Sequence, residues 1–212
     1  MILVDRRSVK RRSMAIIVNK EEKRRDIALS CRTLLLEHGI NNLTIAEIAK
    51  TAGIGKGTVY EYFHNKEDIV FEIITLFISE YEEEFYKKVA QSASTKEKIY
   101  HFLNLLYLNE ETKKHLSLYR EFIAISLMDG TEEMEQFSQA CHNKSMEKLT
   151  MVIDEAIENH EIVPEARELI PALHLFAKGL VIDTYMLHTD AKSEIERFVE
   201  TLFTLIEVKE EQ

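Results

Sequence analysis

The sequence predicts an all-α protein of about nine helices, long enough for one or two domains. Three observations lead there. Glycine and proline are scarce, with six Gly and two Pro in 212 residues. Apolar residues recur at three- and four-residue spacing from one end to the other, which is the period of a helix with one buried face. At 45% hydrophobic and 30% charged, the chain is globular and long enough to bury a real core.

Residues 1–19 lack a clean helical period and contain Arg6, Arg7, Lys10, Arg11 and Arg12. They read either as a basic arm able to add phosphate contacts, or as a mis-assigned start with Met14 as the true initiator. Lys20–His38 is the first helix, with Ile27, Cys31, Leu34 and Leu35 on one face and Gly39 as its stop. Lys23, Arg24 and Arg25 stand at its entrance, placed to touch phosphates or only to be solvated.

The stretch TIAEIAKTAGIGKGTVYEYFHNK, Thr44–Lys66, organises the rest. Ile45, Ile48, Ala49 and Ala52 have helical spacing, and Thr44 with Glu47 forms the capping-box signature that satisfies two orphan helix amides. Gly53 supplies the turn. Lys56–Tyr62 is a second, short helix anchored inward by Val59 and Phe63, four apart. Two short helices around a glycine corner form a helix-turn-helix, whose second helix enters the DNA major groove. Lys56, Gly57, Thr58, Tyr60 and Tyr62 crowd that helix with donors and a bare patch of backbone.

Asn65 caps the next predicted helix, which carries Ile69, Val70, Ile73, Ile74, Phe77, Tyr81 and Phe85 on one broad face. Further helices are expected over Thr95–Asn109, Glu111–Met128, and from Thr131 to about His160. Pro164 suits a first helical position, whereas Pro171 either kinks an eighth helix or marks its real beginning. That helix runs to Leu187 and is apolar nearly all round, so it must be covered on several sides; Gly179 in its middle suggests a close helix crossing. Ser193–Val208 is the last helix, and a charged tail, KEEQ, ends the chain.

Net charge is −10, which taken alone argues against nucleic acid. Its distribution points the other way: residues 1–66 hold 13 Lys+Arg against 7 Asp+Glu, a balance of +6, and the remainder carries −16. One basic end on an acidic body is the footprint of a protein that docks phosphates with that end. Cys31 and Cys141 show no metal spacing and read as reduced core residues. The start has no apolar run long enough for a signal peptide or membrane span, so a cytoplasmic protein without a membrane partner is expected.

The Thr44–Lys66 stretch resembles the DNA-binding domain of the TetR family of transcriptional regulators. Thr44, Ile48, Ala49, Ala52, Gly53, Ile54, Gly57, Tyr60, Tyr62, Phe63, Lys66 and Ile69 fall in register with that family's pattern. Gly55 departs from it, standing where the family usually has Ser, which puts one hydroxyl contact to a phosphate in doubt. The resemblance implies a homeodomain-like three-helix domain over residues 20–66 and an effector-binding, dimerising helical bundle over 67–212.

By resemblance and chemistry together, Thr44, Lys56, Gly57, Thr58, Tyr60, Tyr62 and Lys66 are the candidate DNA contacts. Thr44 and Lys66, at helix starts, suit phosphates. Lys56 suits a guanine edge and the Thr58 methyl a thymine methyl. So short a helix reads only a few base pairs, hence a homodimer on a palindromic operator is expected. The resemblance places dimerisation on the last two long helices, with Leu173, Leu180, Phe198, Leu202 and Phe203 as candidates; burial of both stripes inside one monomer is the alternative. It also implies a small-molecule effector, here mostly hydrophobic, with Phe77, Tyr81, Tyr107, Phe122, Met146 and Phe176 as candidate lining. Plain core packing is the commoner role for such residues.

No catalytic constellation, cofactor motif or metal spacing is visible: no phosphate-binding glycine loop, paired His-Glu motif or nucleophile motif. His142 and Cys141 point to different helix faces, and His174, Asp183 and His188 lack an i, i+4 pairing. A ligand-released repressor is therefore the leading expectation. An architectural or cell-division factor of the same fold, without effector release, is the alternative.

Overall fold

A computed structural model describes residues 20–208. The basic arm, the Met14 start and the KEEQ tail lie outside the described residues. Helix α1 covers residues 20–30, followed by α2 (Arg32–Asn42), α3 (Ile45–Thr51), α4 (Lys56–Tyr62), α5 (Lys66–Gln91), α6 (Thr95–Asn104), α7 (Glu110–Asp129), α8 (Glu132–Glu158), α9 (Ile170–Met186) and α10 (Ala191–Ile206). Short 3-10 turns occupy Leu105–Tyr107 and Pro164–Leu169.

Two boundaries differ from expectation, each for a local reason. The first predicted helix is divided at Cys31, although Cys31 N still donates to Ile27 O (3.2 Å) and Leu35 N to Cys31 O (3.0 Å). Ser30 Oγ takes the same Ile27 carbonyl at 2.7 Å, a back-bond of the kind that bends helices. Gly39 does stop the helical backbone, with φ 75° and ψ 176°. The fifth predicted helix ends early, at Asn104, because Asn109 is engaged as the cap of α7 and accepts from Glu111 N and Thr112 N. Pro171 marks the beginning of α9 rather than a kink: it sits in the first turn, where no intrahelical donor is lost.

The chain separates into two compact units, Met1–Ile78 and Ser79–Gln212. The division falls inside α5, twelve residues beyond the limit at 66 that the motif suggests. The buried Ile69, Val70 and Ile73 and the acids Asp68 and Glu72 tie the first turns of α5 into the amino-terminal unit.

The carboxy-terminal unit is built around one apolar cluster. Phe85, Ile99, Leu103, Leu149, Ile153, Leu173, Leu180, Ile195, Val199 and Phe203 belong to it. Hydrogen bonds from Val163 N to Ile206 O (2.8 Å) and Val208 N to Glu161 O (3.1 Å) pin the chain after α8 to the end of α10. By length and composition alone, Pro164–Met186 is apolar enough to cross a membrane, with 28% of it buried. The two unlike faces of α9 give that composition another cause.

Candidate nucleic-acid interface and the carboxy-terminal unit

The amino-terminal unit builds its corner as the residues dictate. Thr44 Oγ accepts from Glu47 N at 3.3 Å, and Thr44 N donates to Glu47 Oε2 at 3.1 Å, completing the capping box of α3. The Thr44 hydroxyl also donates to Glu47 Oε2 at 2.7 Å and, with its partners, holds that carboxyl below its usual range. The hydroxyl expected to meet a phosphate is thus already engaged in the cap. At the other end, Gly53 N bonds Lys50 O and Ile54 N bonds Ala49 O (3.0 Å), the paired closure of a Schellman turn. Gly53 takes φ 66°, a conformation that costs an L-residue roughly 1–2 kcal/mol.

Helix α4 is held by its inward side alone. Val59 and Phe63 are fully buried, whereas Lys56, Gly57 and Tyr60 are exposed, Tyr60 by 57%. A Cβ added at Gly57 would meet nothing within 4 Å. The cap position is Gly55, which supplies no side-chain acceptor, so the first-turn amides of α4 have no side-chain cap. The departure from the family pattern at Gly55 thus removes a capping hydroxyl.

Two cations fix this arrangement in ways that local spacing does not reveal. Arg24 of α1 donates from Nη1 to Tyr62 O (2.7 Å) and from Nε to Glu72 Oε2 (2.7 Å). Its Nη2 lies 3.6 Å from Asp68, and Cζ sits 4.4 Å above the Phe63 ring. One guanidinium therefore ties the carbonyl end of α4 to α1 and to the start of α5. Lys66, expected at a phosphate, directs Nζ to the carbonyls of Ile40 (3.3 Å) and Asn41 (3.2 Å), at the end of α2. Cation donors suit those orphan carbonyls. Arg24 thus braces α4 and Lys66 ties α5 to the end of α2, and both cations are engaged in backbone contacts within the amino-terminal unit.

In the carboxy-terminal unit the six candidate lining residues do not form one set. Phe77 lies in the amino-terminal unit, buried beneath the Arg32 guanidinium (4.6 Å). The Tyr81 hydroxyl is hydrogen-bonded to His115 Nδ1. Phe122 meets Phe137 edge-on at 5.7 Å. Tyr107, Met146 and Phe176 pack against the main apolar cluster, and Phe176 stacks on Phe198 at 3.8 Å. A concavity of about 360 Å3 opens elsewhere, lined by Ile157, Pro164, Glu165, Arg167 and Glu168.

A polar relay that sequence spacing missed joins α8 to α9. His142 Nδ1 lies 3.0 Å from His174 Nε2, and Ser145 Oγ lies 2.9 Å from His174 Nδ1. Burial, then Lys178 and His142, push the His174 pKa down to about 4. Among the described residues no group of three or more His, Cys, Asp or Glu is placed to hold a metal.

Comparison with known proteins bears on the amino-terminal unit first. Residues 31–73 match the family model described as bacterial regulatory proteins, tetR family. Over that stretch the chain is similar to the TetR family. The fatty acid metabolism regulator protein of Bacillus subtilis (strain 168) is 33% identical over 66 residues, 31% of this chain and 34% of that protein. The HTH-type transcriptional regulator HbdR of Aromatoleum sp. is 31% identical over 81 residues, 38% of this chain and 35% of that protein. The chain thus matches only about a third of the length of these relatives.

Solved TetR-family structures extend the likeness of fold across nearly the whole chain. A regulator from Cytophaga hutchinsonii superposes with a TM-score of 0.74 at 15% identity, covering 91% of this chain and 98% of that one. FadR of Bacillus subtilis, solved with stearoyl-CoA, gives 0.62 at 23% identity, covering 84% and 96%.

Helix α9 has two unlike seams. Leu173 and Leu180, expected from sequence at the interface, are buried in the chain's own core, as are Leu202 and Phe203 of α10; Phe198 is half-buried against Phe176. These residues are already covered, so the alternative of burial within one monomer describes them. Rotated two positions, or about 200° around the helix, Ala172, Leu175, Gly179, Ile182 and Met186 form a second seam that is exposed. Leu175 is 66% exposed, Ile182 42% and Met186 69%. Nothing lies within 4 Å of a Cβ placed on Gly179, so the close crossing expected there is not made within this chain.

Proposed function

We propose that the chain is a cytoplasmic, homodimeric, DNA-binding transcriptional regulator: a repressor that leaves a palindromic operator when a small effector occupies its carboxy-terminal unit. The observation that carries the DNA-binding half is α4 itself. Its inner side is anchored by Val59 and Phe63, and its outer side offers Lys56, Gly57 and Tyr60 with no apolar residue to hide. An amine, a phenol and bare backbone suit phosphates, sugars and base edges. Thr58 and Tyr62, partly buried, flank this face.

The uncovered seam of α9 supports the dimer. Small and apolar residues at positions 172, 175, 179, 182 and 186 let a second copy of the helix approach closely, and Leu205 and Val208 of α10 extend the apolar surface. Dimerisation supplies the second reading head that a seven-residue helix requires.

Effector response draws support from relatives: FadR of Bacillus subtilis was solved with stearoyl-CoA, and a Saccharomonospora viridis regulator of like fold with choline. The half-buried aromatic and methionine residues of this unit suit a largely apolar ligand.

The reading is tested by measuring retention of the DNA upstream of the protein's own coding sequence. Salt-sensitive binding, with a footprint of two half-sites about one helical turn or a multiple apart, is expected. Absence of binding to that fragment and to neighbouring promoters would remove the proposal.

A further inference from the structure

Gly53, Gly130 and Gly57 have three different reasons to lack a side chain. Gly53 takes φ 66°, which the turn after α3 requires. Gly130 has no room for one, because a Cβ there would lie 2.3 Å from Ser126 O. Gly57, the second residue of α4, meets neither demand. Its φ is not positive, and a Cβ would find nothing within 4 Å. Alanine would therefore fit this helix and favour it, since glycine costs a helix more backbone entropy. The fold gains nothing from the missing side chain, so its use lies outside the chain.

What meets this position is constrained by its surroundings. Gly57 is exposed, and Tyr60, three residues on, and Glu61, four on, share its side of the helix and are exposed as well. The Glu61 carboxylate works against a phosphate beside the bare backbone. The N-terminal residues of a reading helix meet base edges on the floor of the major groove. That floor presents flat donors and acceptors and one projecting apolar group, the 5-methyl of thymine. An absent methyl on the helix and a projecting methyl on the base match in size and polarity, and their contact takes hydrocarbon out of water.

We propose that Gly57 determines specificity: the hollow left by its missing side chain receives the 5-methyl group of one thymine in each half-site. The inference rests on the DNA-binding reading and sharpens it from contact with base edges to the choice of one base.

The test uses the full chain and the duplex that wild type protects in the DNA upstream of its own coding sequence. Each thymine in turn is replaced, symmetrically in both half-sites, by deoxyuridine, which lacks only the 5-methyl. Affinity is read by fluorescence anisotropy and stability by thermal melting. G57A is expected to melt no lower than wild type, yet to bind the unmodified duplex at least tenfold more weakly. At one position in the half-site, deoxyuridine should restore most of that loss in G57A and weaken wild type several-fold. A G57A protein that melts lower would mean that the fold itself needs the glycine, and would overturn the proposal. Undiminished affinity in G57A, or a loss that no deoxyuridine restores, would overturn it too. Either of these results, with wild type still binding, removes the thymine hollow alone. Failure of wild type to retain any promoter fragment removes the regulator and the hollow with it.

Discussion

Helices α4 and α9 pose the same physical problem and answer it with opposite chemistry. Each is anchored on one side and left open on the other. The open side of α4 carries an amine, a phenol and glycine backbone. That of α9 carries Leu175, Ile182 and Met186 around Gly179. A polar open side loses nothing in water and gains when phosphates arrive. An apolar one of this length is a standing cost until hydrocarbon covers it. That difference is the ground for proposing nucleic acid as the partner of one helix and a second copy of the chain as the partner of the other.

The largest effect should come from charging the α9 seam. Leu175→Glu with Ile182→Glu is expected to give monomers by sedimentation and to lower operator affinity by at least a hundredfold. A protein still dimeric would move the interface elsewhere. The inner seam behaves differently: Leu180→Ala should destabilise folding by roughly 2–5 kcal/mol, read by chemical denaturation, because it opens a cavity in the core.

Next in size is the clamp on α4. Arg24→Gln should weaken operator binding about tenfold while leaving the slope of log affinity against log salt unchanged, since this guanidinium bonds Tyr62 O and Glu72 instead of a phosphate. A slope reduced by about one would identify a phosphate contact and contradict the clamp.

A smaller effect concerns the relay between α8 and α9. His174 has a folded-state pKa of about 4, below the ordinary value of 6.5. Its neutral form is therefore the one the fold favours. The stability it contributes is complete above pH 6.5 and declines as pH falls towards 4. Melting curves across that window should show the decline, and His174→Gln should flatten it. An equally steep decline in the variant would place the pH sensitivity in other groups.

The amino-terminal corner is legible in the sequence because its determinants are local. Thr44 with Glu47, Gly53, and Val59 with Phe63 act within a few residues of one another, and each does in the structure what its spacing implies. Arg24 and Lys66 are not legible, because their partners lie 25 to 48 residues away and are chosen by packing. A cation near a helix-turn-helix looks like a phosphate ligand until the carbonyl it bonds is known. The misplaced seam of α9 has a related cause. A helix apolar all round does not say which arc its own chain covers, so periodicity alone cannot tell Leu173 and Leu180 from the outer seam. The contact of His142 with His174 joins different helices and leaves no mark in the spacing of either.

Whether the open side of α4 meets DNA is decided by fluorescence anisotropy. The promoter fragment would be titrated with wild type and with Lys56→Ala plus Tyr60→Ala, across a range of salt concentrations. Wild type should bind with a steep dependence on salt, and the variant about a hundredfold more weakly while dimerisation and helicity persist. Unchanged affinity in a folded, dimeric variant would contradict the assignment of this helix to DNA.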